Sequence, residues 1–276
     1  MSQIGLALQS GIEVQFDLPE PGVDRTEAVF VLGMRKSGST LLNRLVIGIA
    51  KRYKLPWVDI GGGFFSHDVR ANQWNDDPVV ASLFKPGYLY GGFRGPYKHF
   101  QSSDVYKSGR KILLVRDPRD ALVSQYFSTL KTHSLPKHAK TDGGAADQIL
   151  RQREEAARLS IDDYVLLNAR SFRRTLEGYA ALLEDKELKV FRYEDVILNK
   201  EPWIRQILQS LGLPAHKPFI QRLVTEHDLV PAIEDANNFV RKVTPGDHTE
   251  KLRRPTIEAL TMIFGDTMGP FGYRLR

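Results

Sequence analysis

The sequence predicts an α/β fold, a single domain over residues 1–276 with a mainly parallel central sheet flanked by helices. Two observations predict it. Short apolar runs recur at 28–32, 57–60, 88–93, 111–115 and 188–192, and helical patterns separate most of them. Strands that alternate with helices pair in parallel, because each helical crossover carries the chain back to the same end of the sheet before the next strand starts. The second observation is the stretch 28–50, AVFVLGMRKSGSTLLNRLVIGIA, in which a strand runs into a short polar loop and then an apolar helical pattern.

Residues 1–26 read as an irregular or edge-strand lead-in, because Pro19, Pro21 and Gly22 stop regular structure before Ala28. After the loop, Leu41, Leu42, Leu45, Val46 and Ile49 recur at helical spacing. A second strand is predicted at 57–60. GGGFFSHDVR at 61–70 is expected to be a loop, since three consecutive glycines disfavour a regular element and let backbone approach a ligand. Strands follow at 88–93 and at 111–115. KILLV in the latter is a continuous apolar run, the form of a strand covered on both faces. Helices are predicted at 118–130 and over 148–183, the latter split near Ser160, which starts a capping pattern. Residues 132–147, rich in Pro, Gly, Lys and His, are expected to be a mobile surface loop. A fifth strand at 188–192 precedes helices at 202–211 and 217–227, an irregular basic segment at 236–254, and a last helix from 255.

Composition bounds the function. The net charge of +6 and pI near 9.4 point to an anionic ligand or surface. With no cysteine, disulfides, thiolate metal sites and cysteine nucleophiles are excluded. The N-terminus lacks a basic start followed by a long apolar run, and no apolar segment approaches the roughly 20 residues of a membrane helix. A cytoplasmic protein without stable membrane insertion is the expectation.

Three stretches suit anions. In the first, Arg35, Lys36, Ser37, Gly38, Ser39 and Thr40 open a helix, where unpaired N–H groups and the macrodipole favour negative charge. Gly33 and Gly38 have Walker A spacing, but Ser39 stands where that motif needs lysine, which argues against a metal-dependent nucleotide hydrolase. The second is KILLVRDPRDALVSQYFS at 111–128. Asp117 and Pro118 suit a helix start, whereas Arg116 at a strand end suits phosphate or a salt bridge to a neighbouring acid. The third is NNFVRKVTPGDHTEKLRR at 237–254, where Arg241 and Lys242 are either ligand-binding or part of a solvated face.

Together these stretches resemble the sulfotransferases that use 3′-phosphoadenosine 5′-phosphosulfate (PAPS) and release 3′-phosphoadenosine 5′-phosphate (PAP). RKSGSTLL at 35–42 is similar to the family's 5′-phosphosulfate loop, and VRDPRDALVSQYFS at 115–128 to its 3′-phosphate element. FRYEDV at 191–196 resembles a strand-end Tyr-Glu-Asp, and FVRKVTPGD at 239–247 the late Arg-Lys segment. The resemblance implies a P-loop-like fold and PAPS as co-substrate without a metal. Lys36 to Thr40 would hold the 5′-phosphosulfate, Arg116, Ser124, Arg241 and Lys242 the 3′-phosphate, and Tyr193 would lie near adenine. Val243 departs from the family's glycine, and Leu41 from its aromatic residue.

Sulfuryl transfer, like phosphoryl transfer, is an in-line displacement in which charge builds on the leaving oxygen, and Lys36 is the candidate to meet it. A hydroxyl acceptor also needs a base. The family's histidine before a proline has no counterpart in GGFRGPYKHF, where Arg94 stands at about that place. His67 is the first choice, followed by Asp68 and His99, while Arg94 suits an anionic acceptor or the transferring group. The expected partner is a hydroxyl or amine acceptor, carried by a carbohydrate, a lipid-linked compound or a small-molecule metabolite, not nucleic acid; the family's dimerisation pattern is absent near 248–260, so oligomeric state is open. The alternatives are a P-loop-type nucleotide kinase and a non-catalytic polyanion-binding module.

Overall fold

The computed structural model describes residues 2–21, 25–139, 143–228, 231, 234, 235, 238 and 240–273; residues 236, 237 and 239 of the basic segment lie outside them. The chain opens with β1 (Ser2–Ala7) and β2 (Glu13–Leu18), an antiparallel hairpin where an irregular or edge-strand lead-in was expected. Alternation explains it: Val14, Phe16 and Leu18 are buried while Glu13, Gln15 and Asp17 face outward.

Next come β3 (Val29–Gly33), α1 (Ser39–Tyr53), β4 (Trp57–Asp59), α2 (Ile60–Ser66), α3 (Ala71–Trp74) and β5 (Leu89–Phe93). After α4 (Asp104–Ser108), β6 (Arg110–Val115) leads into α5 (Pro118–Phe127), which a π-helical turn extends to Thr132. Then follow α6 (Ala145–Ala157), α7 (Ile161–Ala180), β7 (Leu188–Arg192) and α8 (Tyr193–Val196). The described chain closes with α9 (Lys200–Ser210), α10 (Lys217–His227), α11 (Asp247–Lys251) and α12 (Arg254–Phe264).

Strands β3 to β7 form the predicted sheet, all parallel in the order β4-β5-β3-β6-β7. Alternation within β3 and β6 sends Val29, Val31, Ile112 and Leu114 to one core, with α1, α9 and α10. Phe30, Leu32, Leu113 and Val115 go to the other, with α5, α7, α12 and the hairpin. The chain leaves β3 toward one side of the sheet and β6 toward the other. Adjacent strands with diverging exits leave a crevice at their carboxyl ends, and the loop after Gly33 and the residue Arg116 both lie there.

The glycines at 61–63 form a helix, not the expected loop. Asp59 caps it, its carboxylate accepting from the Gly62 N–H at 2.8 Å. The three glycines are needed for close approach. A Cβ at Gly61 would lie 2.1 Å from the Gly92 carbonyl oxygen, and one at Gly63 would lie 2.3 Å from the Phe16 ring. Ser160 caps α7 as expected, accepting from the Asp163 N–H. Among the described residues no helix is long and apolar enough to cross a membrane.

Candidate anion and acceptor site

The strand-to-helix loop is built by conformation as much as by side chains. Lys36 and Gly38 both adopt left-handed backbone, with φ of 64° and 85°. Gly38 must be glycine for a second reason, since an added Cβ would crowd the Tyr193 ring at 3.1 Å. Ser37 is fully buried and its hydroxyl donates to the Met34 carbonyl at 2.7 Å. It therefore closes the turn and does not face the crevice, contrary to the expectation that it contacts a ligand. Arg35, Lys36, Gly38, Ser39 and Thr40 line a cavity of about 680 Å³.

Arg116, Ser124, Tyr193, Arg241 and Lys242 line the same cavity. Arg116 donates to the Lys36 carbonyl at 3.4 Å, stands 3.8 Å from an oxygen of Asp120, and lies 4.3 Å over the Tyr193 ring. Its Nε is buried with no hydrogen-bond partner, so this arginine retains a donor to spend. The Asp117 carboxylate accepts from the Arg119 N–H and pairs with the Arg119 guanidinium, which is the capping role. Tyr193 donates through its hydroxyl to the Val243 carbonyl at 2.8 Å, tying the end of β7 to the late basic segment. Arg241 lies 4.3 Å over the Phe127 ring and is paired with Glu234 and Asp247, and Lys242 pairs with Glu250 at 2.7 Å.

Burial, together with the charges of Arg116, Arg94, Arg241 and Arg35, lowers the Lys36 ammonium to about 8. So many cations converging on one cavity favour a ligand with several negative charges.

The predicted bases lie elsewhere. His67 does not line the cavity; its Nδ1 lies 2.9 Å from the Gly63 carbonyl and 3.3 Å from the Ser66 hydroxyl, at the end of α2. Asp68 is buried and its carboxylate accepts from the Ala146 N–H at 2.7 Å, which anchors the start of α6. His99 is exposed and outside the cavity. Three groups not foreseen do line it: Asp59, His133 and His227. His133 ends the π-helical turn, its N–H donating to the Ser128 carbonyl at 2.9 Å and its ring edge-on to Phe65. Burial, reinforced by Lys36, Arg35 and Arg153, holds its imidazole below the ordinary histidine value, so it is neutral at neutral pH. The segment 132–147 thus contributes cavity wall through His133, Ser134 and Ala145, although it was expected to be only a surface loop. No sequence pattern marked His133; only the turn that extends α5 brings it inward.

The far wall is aromatic. Trp74 and Tyr97, both buried, stack with centroids 5.2 Å apart, and Arg94 follows β5 beside them. Among the described residues no group of three or more His, Cys, Asp or Glu side chains is disposed to hold a metal ion.

The Sulfotransferase domain family matches residues 95–272 of this chain. Sulfotransferase 2A6 of Mus musculus is 23% identical over 94% of the chain and 90% of its own length. The 3-alpha-hydroxysteroid sulfotransferase of Cavia porcellus is 24% identical over 87% and 83%. Among solved structures, mouse sulfotransferase SULT7A1 in complex with PAP shares the fold with a TM-score of 0.60 at 13% identity, covering 89% of this chain and 84% of that one. Retinol dehydratase with androsterone and inactive cofactor PAP gives 0.53 at 15% identity, over 96% and 89%. With the matched region covering most of the chain, from the end of β5 past α12, the protein belongs to the sulfotransferase family.

Proposed function

We propose that this sulfotransferase takes its sulfuryl group from PAPS and delivers it to a hydroxyl or amine of a small-molecule or carbohydrate acceptor. One observation carries the reading: the helix-start loop and the guanidinium groups of Arg116 and Arg241 line one continuous cavity. A nucleotide with phosphate at both ends needs that pairing, and the spare Nε donor of Arg116 and the crowded cations suit its charge. Gly38, Ser39 and Thr40 with Arg35 would hold the 5′ end through backbone N–H groups and side-chain donors. Arg116, Ser124, Arg241 and Lys242 would hold the 3′-phosphate, and Tyr193 would flank the nucleoside between them.

PAPS supplies an activated sulfur–oxygen bond; the chain's task is to orient it and stabilise charge. As the acceptor oxygen bonds to sulfur, the bond from sulfur to the bridging oxygen breaks, that oxygen leaves on the 5′-phosphate, and Lys36 would donate to it. His133 accepts the acceptor's proton. It is uncharged in the range where a base is needed, and it shares the cavity wall with Lys36. PAP and the sulfated acceptor leave. In the two relatives solved with PAP, that molecule is bound; the same nucleotide is the product expected here.

The test is transfer of ³⁵S from labelled PAPS to a panel of phenols, aliphatic alcohols, amines and sugars. The reading expects labelled product that Lys36→Ala suppresses. Labelled phosphate transfer from ATP–Mg²⁺, with none from PAPS, would instead identify a kinase.

A further inference from the structure

Once the nucleotide has taken Lys36, Arg116 and Arg241, a further arginine still faces the cavity from the acceptor side. Arg94 follows the carboxyl end of β5, at the exit of the sheet. Its backbone N–H donates to the Tyr97 hydroxyl at 2.9 Å, which fixes the main chain beside the aromatic wall. Its guanidinium makes one hydrogen bond, from Nη1 to the neighbouring Phe93 carbonyl at 3.2 Å. No carboxylate of the described residues comes within 4.0 Å of it. Asp59, the acid whose field reaches it, is already spent on the Gly62 N–H.

Arginine in such a place is costly unless something repays it. Burial holds the guanidinium below its ordinary value, and Arg35 adds repulsion. A planar fork with several unspent N–H donors matches a carboxylate, phosphate or sulfate ester, two N–H groups to two oxygens. Beside it, the buried rings of Trp74 and Tyr97, stacked on each other at 30°, line the cavity with apolar atoms. Phe65 and Ile149 also line the cavity. A neutral apolar acceptor would use this wall and leave Arg94 desolvated and unanswered.

We propose that Arg94 recognises an anionic substituent on the acceptor, so that the preferred acceptors are hydroxyl compounds with an apolar body and a carboxylate, phosphate or sulfate group. This rests on the nucleotide reading above, because it assigns the other cations to PAPS.

The test uses matched probes, 4-hydroxyphenylacetate and its methyl ester, titrated by calorimetry into protein saturated with 3′,5′-ADP. The nucleotide titration is done first and reports separately on the PAPS reading; if 3′,5′-ADP fails to bind, the acid and ester are titrated into the free protein. The acid is expected to bind about tenfold or more tighter than the ester, the scale of one charged hydrogen-bonded pair. Hydroxybenzyl phosphate and hydroxybenzyl sulfate, run alongside, rank the three anions. Arg94→Gln should bring the acid down to the ester's affinity, and Arg94→Lys should retain part of the preference. The 3′,5′-ADP affinity of each variant shows that it has folded. Equal binding of acid and ester, or no binding of either, overturns the proposal. So does an Arg94→Gln variant that keeps the acid preference. Equal loss of turnover by Arg94→Gln on acid and ester alike would assign Arg94 to the transferring sulfuryl group instead.

Discussion

Asp120 and His248, 128 residues apart in the chain, share a 2.6 Å hydrogen bond between a carboxylate oxygen and the imidazole Nδ1. The same carboxylate accepts from the backbone N–H groups of Gly246 and His248 and stands 3.8 Å from Arg116. One buried acid thus fastens the late Arg-Lys segment to the helix after β6, so that Arg116 and Arg241 come to the same cavity.

Asp120→Asn should therefore weaken 3′,5′-ADP binding by about tenfold, the scale of one lost charged contact, through displacement of Arg116 and Arg241. Burial pushes this carboxyl up, but the hydrogen bonds from His248 and the charge of Arg116 prevail and hold it at about 2. Its folded value lies below the unfolded one, so its contribution is full above the ordinary carboxylate range and is lost as pH falls toward about 2. Melting temperatures of wild type and variant should differ most above about pH 4 and converge below it. A constant difference from pH 6 to pH 2 would remove this role.

Lys36→Ala should lower kcat by about a hundredfold or more with the fold intact, as expected on removing one transition-state donor. Without nucleotide the Lys36 ammonium is lowered to about 8, whereas a bound polyanion stabilises its charged form. Nucleotide binding should therefore take up protons near pH 8, and affinity should decline as pH rises above it. Calorimetry in two buffers of different ionisation heat checks the sign; proton release would contradict it.

For His133, the acid limb of kcat/KM should fall below the ordinary histidine value, because burial and the neighbouring cations favour the neutral ring. His133→Gln should abolish that limb and lower kcat by about 10²-fold or more. An unchanged pH profile in the variant would transfer the role to another group of the cavity wall, Asp59 or His227.

Gly61→Ala tests the packing of α2. With a Cβ 2.1 Å from the Gly92 carbonyl, backbone must move. The expected loss is about 1–3 kcal/mol in chemical denaturation, and a neutral substitution would show that this helix is not wedged against β5.

The parallel strands were legible because runs such as KILLV are covered on both faces and read as continuous apolar segments. The strand-to-helix loop that lines the cavity was legible because strand, glycine and helix start lie within one short stretch. What was illegible depends on distant chain. The glycines at 61–63 have poor local helix propensity, and they form α2 because Asp59 caps it while Gly92 and Phe16 require their small size. Ser37 looked like a ligand donor, yet the Met34 carbonyl is closer to hand. His133 lay in a segment read as surface, and only the π-helical extension of α5 turns it to the cavity.

The central claim is that one doubly phosphorylated nucleotide spans from the helix start at Gly38 to Arg116 and Arg241. Calorimetric titration of 3′,5′-ADP in the absence of Mg²⁺ tests it most directly, with wild type and Arg116→Ala side by side. The account predicts saturable one-site binding, weakened in the variant by roughly 1.5–3 kcal/mol. No binding of 3′,5′-ADP to the wild type, or identical affinity in Arg116→Ala, would contradict it.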